Sequence, residues 1–262
     1  MNIFDLNGKI ALVTGATGYL GREMAFGLAS FGAHVLINSR SKDKCEDLAK
    51  KIISKGYKAS AVSFDVTNHD VVKDVISRLD IKHVDILINN SYAGGAGSVE
   101  LSSPELYKNA YDSSLVASAN LFTQLLPLLR EAVKRNGYAS VINIASMYGM
   151  VSPDQRIYDS MNVVNPPFYG AAKAAIIQWT KYAGCEFAKE NIRINCISPG
   201  PFPSLQVQEK ASDLVNKISA KVPMGRVGAA QEIAGPVVFL ASPASSFMVG
   251  ANIPVDGGWT SW

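Results

Sequence analysis

Short β-rich stretches alternate with amphipathic or alanine- and leucine-rich stretches along the chain. The β-rich stretches cover residues 9–14, 33–38, 58–64, 85–89, 140–145, 193–197 and 252–255. The helical patterns between them cover residues 21–31, 43–55, 70–79, 115–133 and 171–189. This repetition of strand and helix predicts a parallel sheet covered on both faces, because parallel neighbours are joined by helical crossovers.

The predicted fold class is therefore α/β, with a doubly wound, mostly seven-stranded parallel sheet of the Rossmann type and helices on both faces. No linker, internal repeat or low-complexity segment is visible, so we expect a single dinucleotide-binding domain over 1–262. Two segments without clear regularity, near 150–167 and 199–220, follow predicted strands. Loops in that position line the ligand crevice, so both are expected to form substrate walls.

The composition narrows the class of protein. A net charge of +3 is spread over 262 residues without a basic run, which disfavours nucleic-acid binding. Cys45, Cys185 and Cys196 are odd in number and lack metal-ligand spacing, so we expect buried, reduced thiols, no disulfide and no metal. The first eight residues lack a signal-peptide pattern and no apolar stretch approaches a membrane span, which predicts a cytoplasmic protein without a membrane partner.

A glycine-rich turn follows the first predicted strand and precedes the first predicted helix. Glycines there permit a tight turn and a close backbone approach to a pyrophosphate, which the helix N-terminus stabilises with free N–H groups and its dipole. The alternative is a glycine-rich turn without a ligand. The residues of this turn expected to bind a dinucleotide are Gly15, Thr17, Gly18, Tyr19, Leu20 and Gly21.

The end of the second predicted strand bears on the choice of cofactor. An acidic residue there would hold the adenosine ribose of NAD, whereas Ser39 and Arg40 offer a hydroxyl and a guanidinium to a 2′-phosphate. NADP(H) is therefore favoured over NAD(H). A single cation leaves use of both cofactors open, and Arg40 could instead begin the next helix in solvent.

Polar residues also follow the third and fourth predicted strands. Asp65, followed by Val66, can accept a hydrogen bond from the adenine amino group, or it can cap the next helix. Asn89 and Asn90 can tie neighbouring strands together or touch the ribose. These residues extend the predicted cofactor site along one edge of the sheet.

A tyrosine and a lysine four residues apart, Tyr169 and Lys173, share one face of a predicted helix. An adjacent ammonium stabilises a phenolate and lowers the pKa of the phenol, so the pair can exchange a proton with a carbonyl or alcohol oxygen. By itself the spacing also fits a core tyrosine beside an exposed lysine.

Taken together, these motifs resemble the short-chain dehydrogenase/reductase family in its compact, single-domain form, along nearly the whole chain. Their joint occurrence in the family's order is more specific than any one of them. The matching stretches are the glycine turn, 65–66, 89–90, 142–146, Tyr169 with Lys173, 198–200, 223–226 before Glu232, and 255–258.

The resemblance implies roles for individual residues in interconverting a carbonyl and a secondary alcohol. Ser146 would polarise the substrate oxygen, Tyr169 would transfer the proton, and Lys173 would bind the nicotinamide ribose and lower the pKa of the tyrosine. Phe202 and Ser204 would lie at the nicotinamide end of the cofactor. The resemblance also implies a small-molecule substrate and a homo-oligomer, a tetramer or dimer built from the two long helices.

The glycine turn departs from the compact pattern. Its spacing is more typical of extended family members that act on sugar nucleotides, and Tyr19 stands where the compact form usually has glycine. The chain ends soon after 256–258, without room for a C-terminal substrate domain, so the compact assignment is kept.

Two departures lie near the catalytic residues. Ser91 and Tyr92 replace the family's usual Ala-Gly, which puts a phenol near the crevice as a substrate contact or as packing. The asparagine that often completes the family's catalytic set falls at Ser114, a fourth candidate catalytic residue, which can bind a water less completely.

The final departure concerns the substrate. Ser146 and Tyr169 are about ten residues further apart than is usual in the family, and the surplus around 153–159 is polar and charged. We expect it to lie over the site and to favour a sugar, polyol or similarly hydroxylated substrate. Two alternatives remain open: a redox enzyme of the sugar-nucleotide type, and a dinucleotide-binding sensor without turnover.

Overall fold

A computed structural model of the protein describes residues 2–262 and shows the predicted sheet. Within that range seven strands form one sheet, and all pairings between neighbours are parallel. The strands are β1 (Ile10–Val13), β2 (His34–Ile37), β3 (Lys58–Ala61), β4 (Ile86–Asn89), β5 (Ala139–Ile144), β6 (Ile192–Pro199) and β7 (Asn252–Val255).

Helices connect the strands and cover both faces of the sheet. They are α1 (Tyr19–Ser30), α2 (Lys42–Ile53), α3 (His69–Ser77), α4 (Pro104–Tyr111), α5 (Ala117–Asn136), α6 (Pro167–Phe187), α7 (Leu205–Lys210), α8 (Ser212–Lys221) and α9 (Ala234–Ala241). A π-helical turn, Asp112–Val116, joins α4 to α5. A 3₁₀ turn, Met147–Gly149, follows β5.

The strand order places a ligand crevice at a defined point. The strands lie in the order β3-β2-β1-β4-β5-β6-β7. β1 therefore pairs with β2 on one side and with β4 on the other, and the chain crosses from one half of the sheet to the other between them. In open parallel sheets, ligands bind beyond the carboxyl ends of the strands at such a switch point.

The core consists of two apolar layers, one on each face of the sheet. Alternate residues of β1 point to opposite faces, so Ala11 and Val13 pack in the layer with α1, α2 and α9, whereas Leu12 packs in the layer with α3 and α5. Because both faces are buried, β1 and β4 are apolar along nearly their whole length. β6 also buries Arg193 and Asn195, whose side chains donate to main-chain oxygens.

Four helices were not predicted from the sequence. α9 is apolar almost throughout and contains a proline, so it lacks an amphipathic pattern. α4 is short, and only Ala110 is buried within it. α7 and α8 bury no residue completely, and they occupy most of the segment 199–220 that we expected to be irregular. Helices that are wholly buried or wholly exposed lack the periodic signal on which sequence interpretation depends.

The composition led us to expect buried thiols and no membrane-spanning segment. Cys45 and Cys196 are buried, but Cys185 is exposed on α6, so the expectation of three buried thiols is wrong for Cys185. No helix within residues 2–262 combines the length and the apolar character needed to cross a membrane.

Candidate active site

A cleft of about 900 Å³ lies beyond the carboxyl ends of the strands, at the switch point between β1 and β4. It extends from the ends of β2 and β3, past the glycine turn after β1, to the residues that follow β4, β5 and β6. Its size is in the range of small-molecule and cofactor sites. The fold thus gathers into one cleft residues that are far apart in the sequence.

The glycine turn forms the floor of this cleft. Gly15 has a φ of +59°, and a side chain at Gly21 would place its Cβ 2.2 Å from the main-chain oxygen of Gly15. Gly18 is the N-cap of α1, no side chain caps the helix there, and the first turn has no acidic residue. The free N–H groups and the dipole of α1 are therefore available to an anion, as a pyrophosphate requires.

Asn90 holds the glycine turn against the end of β4. Its side-chain Nδ2 donates to the main-chain oxygens of Thr14 at 3.0 Å and of Gly15 at 3.2 Å, and its main-chain N donates to Thr14 Oγ1 at 2.9 Å. Asn89 Nδ2 donates to Asn143 Oδ1 at 2.8 Å. Both asparagines therefore tie neighbouring elements together, one of the two roles considered for them, although Asn90 also lines the cleft.

The end of β2 presents two cations to the cleft. Arg40 is exposed and lines the cleft, and no carboxylate within residues 2–262 forms an ion pair with it. Lys44, in the first turn of α2, lines the same region and was not predicted from the sequence. Ser39 also lines the cleft, and its hydroxyl donates to the main-chain oxygen of Ser41 at 3.2 Å. An anionic group such as a 2′-phosphate fits these side chains.

Asp65 and Val66 line the cleft on the far side of this region. Asp65 Oδ1 accepts hydrogen bonds from the main-chain N of Thr67 at 3.0 Å and from its hydroxyl at 2.8 Å. The cap of α3 is Asn68, whose side chain accepts from the main-chain N of Val71, so the alternative in which Asp65 caps this helix is wrong. Asp65 closes an Asx turn and keeps its position at the cleft.

Ser146, Tyr169 and Lys173 meet at the other end of the cleft. Ser146 follows β5, is only 5% exposed, and its hydroxyl accepts from the main-chain N of Tyr148 at 3.1 Å. Tyr169 lies in the first turn of α6, and Ser146 is close enough to influence the pKa of its phenol. Lys173, one turn later and 4% exposed, donates to the main-chain oxygen of Ile144 at 2.7 Å.

A close helix contact sets this geometry. α6 begins at Pro167, where a missing N–H costs nothing. A Cβ on Gly149, in the turn after Ser146, would lie 2.7 Å from the main-chain carbon of Lys173. Only glycine lets the turn that carries Ser146 approach the helix that carries Tyr169 and Lys173 so closely.

Burial dominates the electrostatics of these groups. It raises the pKa of Tyr169 above its ordinary value, and the neighbouring Ser146 hydroxyl acts in the opposite direction. Burial also lowers the pKa of Lys173 to about 8, which the neighbouring Cys196 partly opposes. The expected lowering of the Tyr169 pKa by Lys173 is not found, because the ammonium is 5.7 Å from the tyrosine ring centroid and donates to Ile144 instead.

Tyr92 lies beside Tyr169 and Lys173. Its ring packs edge-on against that of Tyr169, with centroids 4.9 Å apart and an interplanar angle of 75°. The ammonium of Lys173 lies 5.2 Å from the Tyr92 ring centroid. Burial raises the pKa of Tyr92, so the phenol is neutral at physiological pH. The residue that replaces the family's usual glycine is therefore in contact with the candidate catalytic residues.

Of three further candidate residues, Phe202, Ser204 and Ser114, only Phe202 lines the cleft. Phe202 lines the cleft as expected. Ser204 does not line it, because its side chain caps α7 and accepts from the main-chain N of Val207 at 3.4 Å. Ser114 is buried in the π-helical turn behind the cleft lining, where its main-chain oxygen accepts from Ser118 Oγ at 2.6 Å. Ser204 therefore does not lie at the cleft in this structure, whereas the candidate catalytic role of Ser114, behind the cleft lining, stays a prediction.

The surplus segment between Ser146 and Tyr169 does not line the cleft and pairs instead with α8. Asp154 pairs with Arg156 at 2.9 Å and with Lys221 of α8, while Asp159 pairs with Lys217 of α8 at 2.6 Å. None of residues 147–167 lines the cleft. The expectation that these charged side chains meet the substrate is wrong, because they are neutralised against each other and against α8.

Three polar cleft residues on α4 and the π-helical turn were not predicted from the sequence. Asn109, Asp112 and Ser113 line the cleft, and Ser113 Oγ donates to the main-chain oxygen of Asn109 at 2.8 Å. In the sequence, the segment 104–114 before the predicted helix 115–133 shows only scattered polar residues, which do not indicate a binding site. The turn is positioned by packing against α6, which no local pattern reveals.

Known proteins are similar to this chain in sequence and in architecture. Residues 15–260 match a family model described as enoyl-(acyl carrier protein) reductase. The chain is 32% identical over 260 residues to the rhamnolipids biosynthesis 3-oxoacyl-(acyl-carrier-protein) reductase of Pseudomonas aeruginosa, covering 98% of each. It is 31% identical to the gluconate 5-dehydrogenase of Gluconobacter oxydans, covering 99% of this chain and 97% of that protein. A crystal structure of a gluconate 5-dehydrogenase from Burkholderia cenocepacia, in complex with NADP and tartrate, has a TM-score of 0.88 and 28% identity, covering 100% of this chain and 98% of that chain.

Proposed function

The chain belongs to the short-chain dehydrogenase/reductase family, and on that premise we propose that it interconverts a ketone and a secondary alcohol on a hydroxylated organic acid or sugar, with NADP(H) as cofactor. At the coarser level, it is an NAD(P)-dependent oxidoreductase that acts on CH–OH and C=O groups. The observation that carries the proposal is the convergence of Ser146, Tyr169 and Lys173 at one end of a cleft whose other end carries the cations Arg40 and Lys44.

The residues of the cleft fit a dinucleotide. The glycine turn and the N-terminus of α1 would hold the pyrophosphate, and Arg40 with Lys44 would hold a 2′-phosphate. Asp65 and Val66 would border the adenine, and Phe202 would lie at the nicotinamide end. When bound, the cofactor supplies or accepts the hydride at the substrate carbon.

In the reductive direction Tyr169 is the proposed proton donor. Its raised pKa keeps the phenol protonated at neutral pH, so a proton is available for the carbonyl oxygen as negative charge develops there. Ser146, which lines the same end of the cleft as Tyr169, would orient and polarise the same oxygen. In the free protein Lys173 does not lower the pKa of Tyr169. Once cofactor and substrate exclude water from the cleft, its ammonium, 5.7 Å from the Tyr169 ring centroid, would stabilise the phenolate left by proton transfer.

The substrate class is supported by the relatives and no longer by the segment between Ser146 and Tyr169. Two of the similar proteins reported above are gluconate 5-dehydrogenases, and one of those was crystallised with tartrate, a hydroxylated acid. Cleft residues that can hydrogen-bond to hydroxyl groups include Asn109 and Asp112 of the α4 region. A 3-oxoacyl thioester is the second candidate, favoured by the likeness to the Pseudomonas aeruginosa reductase.

Steady-state kinetics with the purified protein tests the proposal. NADPH oxidation would be followed with 5-ketogluconate and related keto acids, and in parallel with an acetoacetyl thioester. NADP⁺ reduction would be followed with gluconate. We expect kcat/KM at least about tenfold higher for the hydroxylated keto acids, because polar cleft groups left unpaired by an acyl chain carry an energetic cost. Turnover of the thioester alone would support the second candidate, and turnover of neither would overturn the assignment of substrate class.

A further inference from the structure

The Tyr92 ring forms one wall around the buried ammonium of Lys173. Tyr92 follows β4, and its ring centroid lies 5.2 Å from Lys173 Nζ, within the distance at which an aromatic face attracts a cation. The same ring packs edge-on against Tyr169. Tyr92 therefore contacts both members of the proposed proton-transfer pair from an element outside α6.

The ammonium of Lys173 has few other partners. It can donate three hydrogen bonds, yet within residues 2–262 its only hydrogen bond goes to the main-chain oxygen of Ile144. No carboxylate in that range forms an ion pair with it, and the titratable groups around it are Tyr92, Tyr169 and Cys196. A buried cation with one hydrogen bond needs further electrostatic compensation, which the negative face of an aromatic ring can supply.

The hydroxyl of Tyr92 does not account for the presence of a tyrosine. It is buried and has no hydrogen-bond partner among residues 2–262. It lies over Gly94, where a Cβ would approach it to 2.2 Å. The hydroxyl thus forms no hydrogen bond within residues 2–262. The aromatic ring is the part of Tyr92 that contacts Lys173 and Tyr169.

We propose that Tyr92 is a positioning residue whose ring face stabilises the protonated form of Lys173 and holds its ammonium beside Tyr169. The proposal rests on the proposed roles of Tyr169 and Lys173 in proton transfer. It gives a function to a side chain that stands where the family usually has glycine. Tyr92 acts through Lys173 and does not itself exchange a proton with substrate.

Titration of Lys173 in the protein without substrate tests the proposal directly. Lysines carrying ¹³C at Cε would be followed by NMR against pH, with the Lys173 signal assigned from its loss in Lys173→Met. Tyr92→Phe keeps the ring and should titrate as the wild type does. Tyr92→Leu removes the ring and should lower the pKa of Lys173 by about 0.5–1.5 pH units, the range that corresponds to a partly or fully desolvated cation–π contact.

A matched control separates the ring's electrostatic effect from loss of packing. Tyr107 belongs to the same apolar cluster and packs edge-on against Phe168 at 5.9 Å, but it does not lie over Lys173. Tyr107→Leu should therefore leave the pKa of Lys173 unchanged. Tyr92→Met, with an unbranched side chain that adapts to gaps, provides a second variant if Tyr92→Leu fails to fold.

Each outcome decides the proposal without reference to turnover. A Lys173 pKa in Tyr92→Leu or Tyr92→Met that is unchanged or raised would overturn it, as would equal shifts in Tyr92→Phe or Tyr107→Leu. If Tyr92→Phe folds and neither apolar variant does, the ring belongs to the core and the proposal is also overturned. Because no substrate is used, failure of the proposed reaction would appear separately, as absence of turnover in the wild type.

Discussion

Lys173 Nζ lies 2.7 Å from the main-chain oxygen of Ile144 and donates a hydrogen bond to it. Ile144 ends β5, two residues before Ser146, so the bond connects α6 to the strand that carries the candidate serine. Burial lowers the pKa of Lys173 to about 8 from an ordinary 10.5. The free-energy cost of keeping this ammonium buried therefore depends on pH.

The first prediction concerns Lys173→Met and stability. Below pH 8 both the folded and the unfolded chain carry the protonated lysine, and the folded state bears the full cost of burying it. Between pH 8 and 10.5 the unfolded state binds more protons, so the stability of the wild type rises with pH relative to the variant. The free energy of unfolding of Lys173→Met minus that of wild type should fall by roughly 3 kcal/mol from pH 7 to pH 10.5.

Denaturant unfolding of both proteins at each pH provides the measurement. Lys181→Met, an exposed lysine on the same helix, is the control and should show no such trend. A pH-independent difference between Lys173→Met and wild type would mean that Lys173 titrates near its ordinary pKa in the folded protein.

The second prediction concerns the proton donor. Tyr169→Phe removes the phenol proton but keeps the ring that packs against Tyr92. Turnover should fall by at least ~10²-fold, since positioned acid/base groups contribute about that much, while NADPH affinity stays nearly unchanged. Steady-state kinetics and NADPH fluorescence titration provide the measurements. Tyr182→Phe, exposed on the same helix, should behave as wild type, and near wild-type turnover in Tyr169→Phe would refute the mechanism.

The third prediction concerns cofactor choice. Arg40→Ala should weaken NADPH binding by roughly tenfold or more and leave NADH binding nearly unchanged, because a charge-assisted contact to the 2′-phosphate is lost. Lys44→Ala should act in the same direction. Calorimetric titration with each cofactor measures both effects.

Lys42→Ala is the matched control for these two variants. Lys42 begins the same helix and pairs with Glu46, but it does not line the cleft. Equal weakening of NADPH and NADH in Arg40→Ala, or a wild type that prefers NADH, would mean that the end of β2 does not recognise a 2′-phosphate.

The fourth prediction concerns the segment between Ser146 and Tyr169. Ile157 is buried in an apolar cluster with Val222 and Trp259, which docks this segment against the end of α8. Ile157→Ala should lower the free energy of unfolding by about 2–4 kcal/mol, the cost of a cavity in a packed core, without weakening NADPH binding. Thermal and denaturant unfolding measure the loss, with exposed Val163→Ala as the control. Weakened cofactor binding in a stably folded Ile157→Ala would contradict this role.

The sheet could be predicted from the chain alone because its cause is local. Strands buried on both faces have short apolar runs or, as in β6, apolar residues that alternate with polar ones. α1, α2, α3, α5 and α6 were recognised from amphipathic or apolar patterns. α7 and α8 could not be recognised, because they bury no complete side chain. One contact that holds α8, the ion pair between Lys217 and Asp159, comes from a residue 58 positions away.

Part of the candidate site could be predicted from the sequence, and part of it depends on the tertiary structure. The sequence predicted the glycine turn, Arg40, Tyr169 and Lys173 from their own chemistry, because tight turns, phosphate recognition and proton transfer restrict which residues can serve at those positions. Ser146 was predicted from the family resemblance. The tertiary structure decided which other side chains join them. It brought Lys44, Asn109 and Tyr92 to the cleft and turned Asp154 and Asp159 toward α8. The direction of a side chain in a loop is set by charges and packing surfaces from distant parts of the chain, and these come together only on folding.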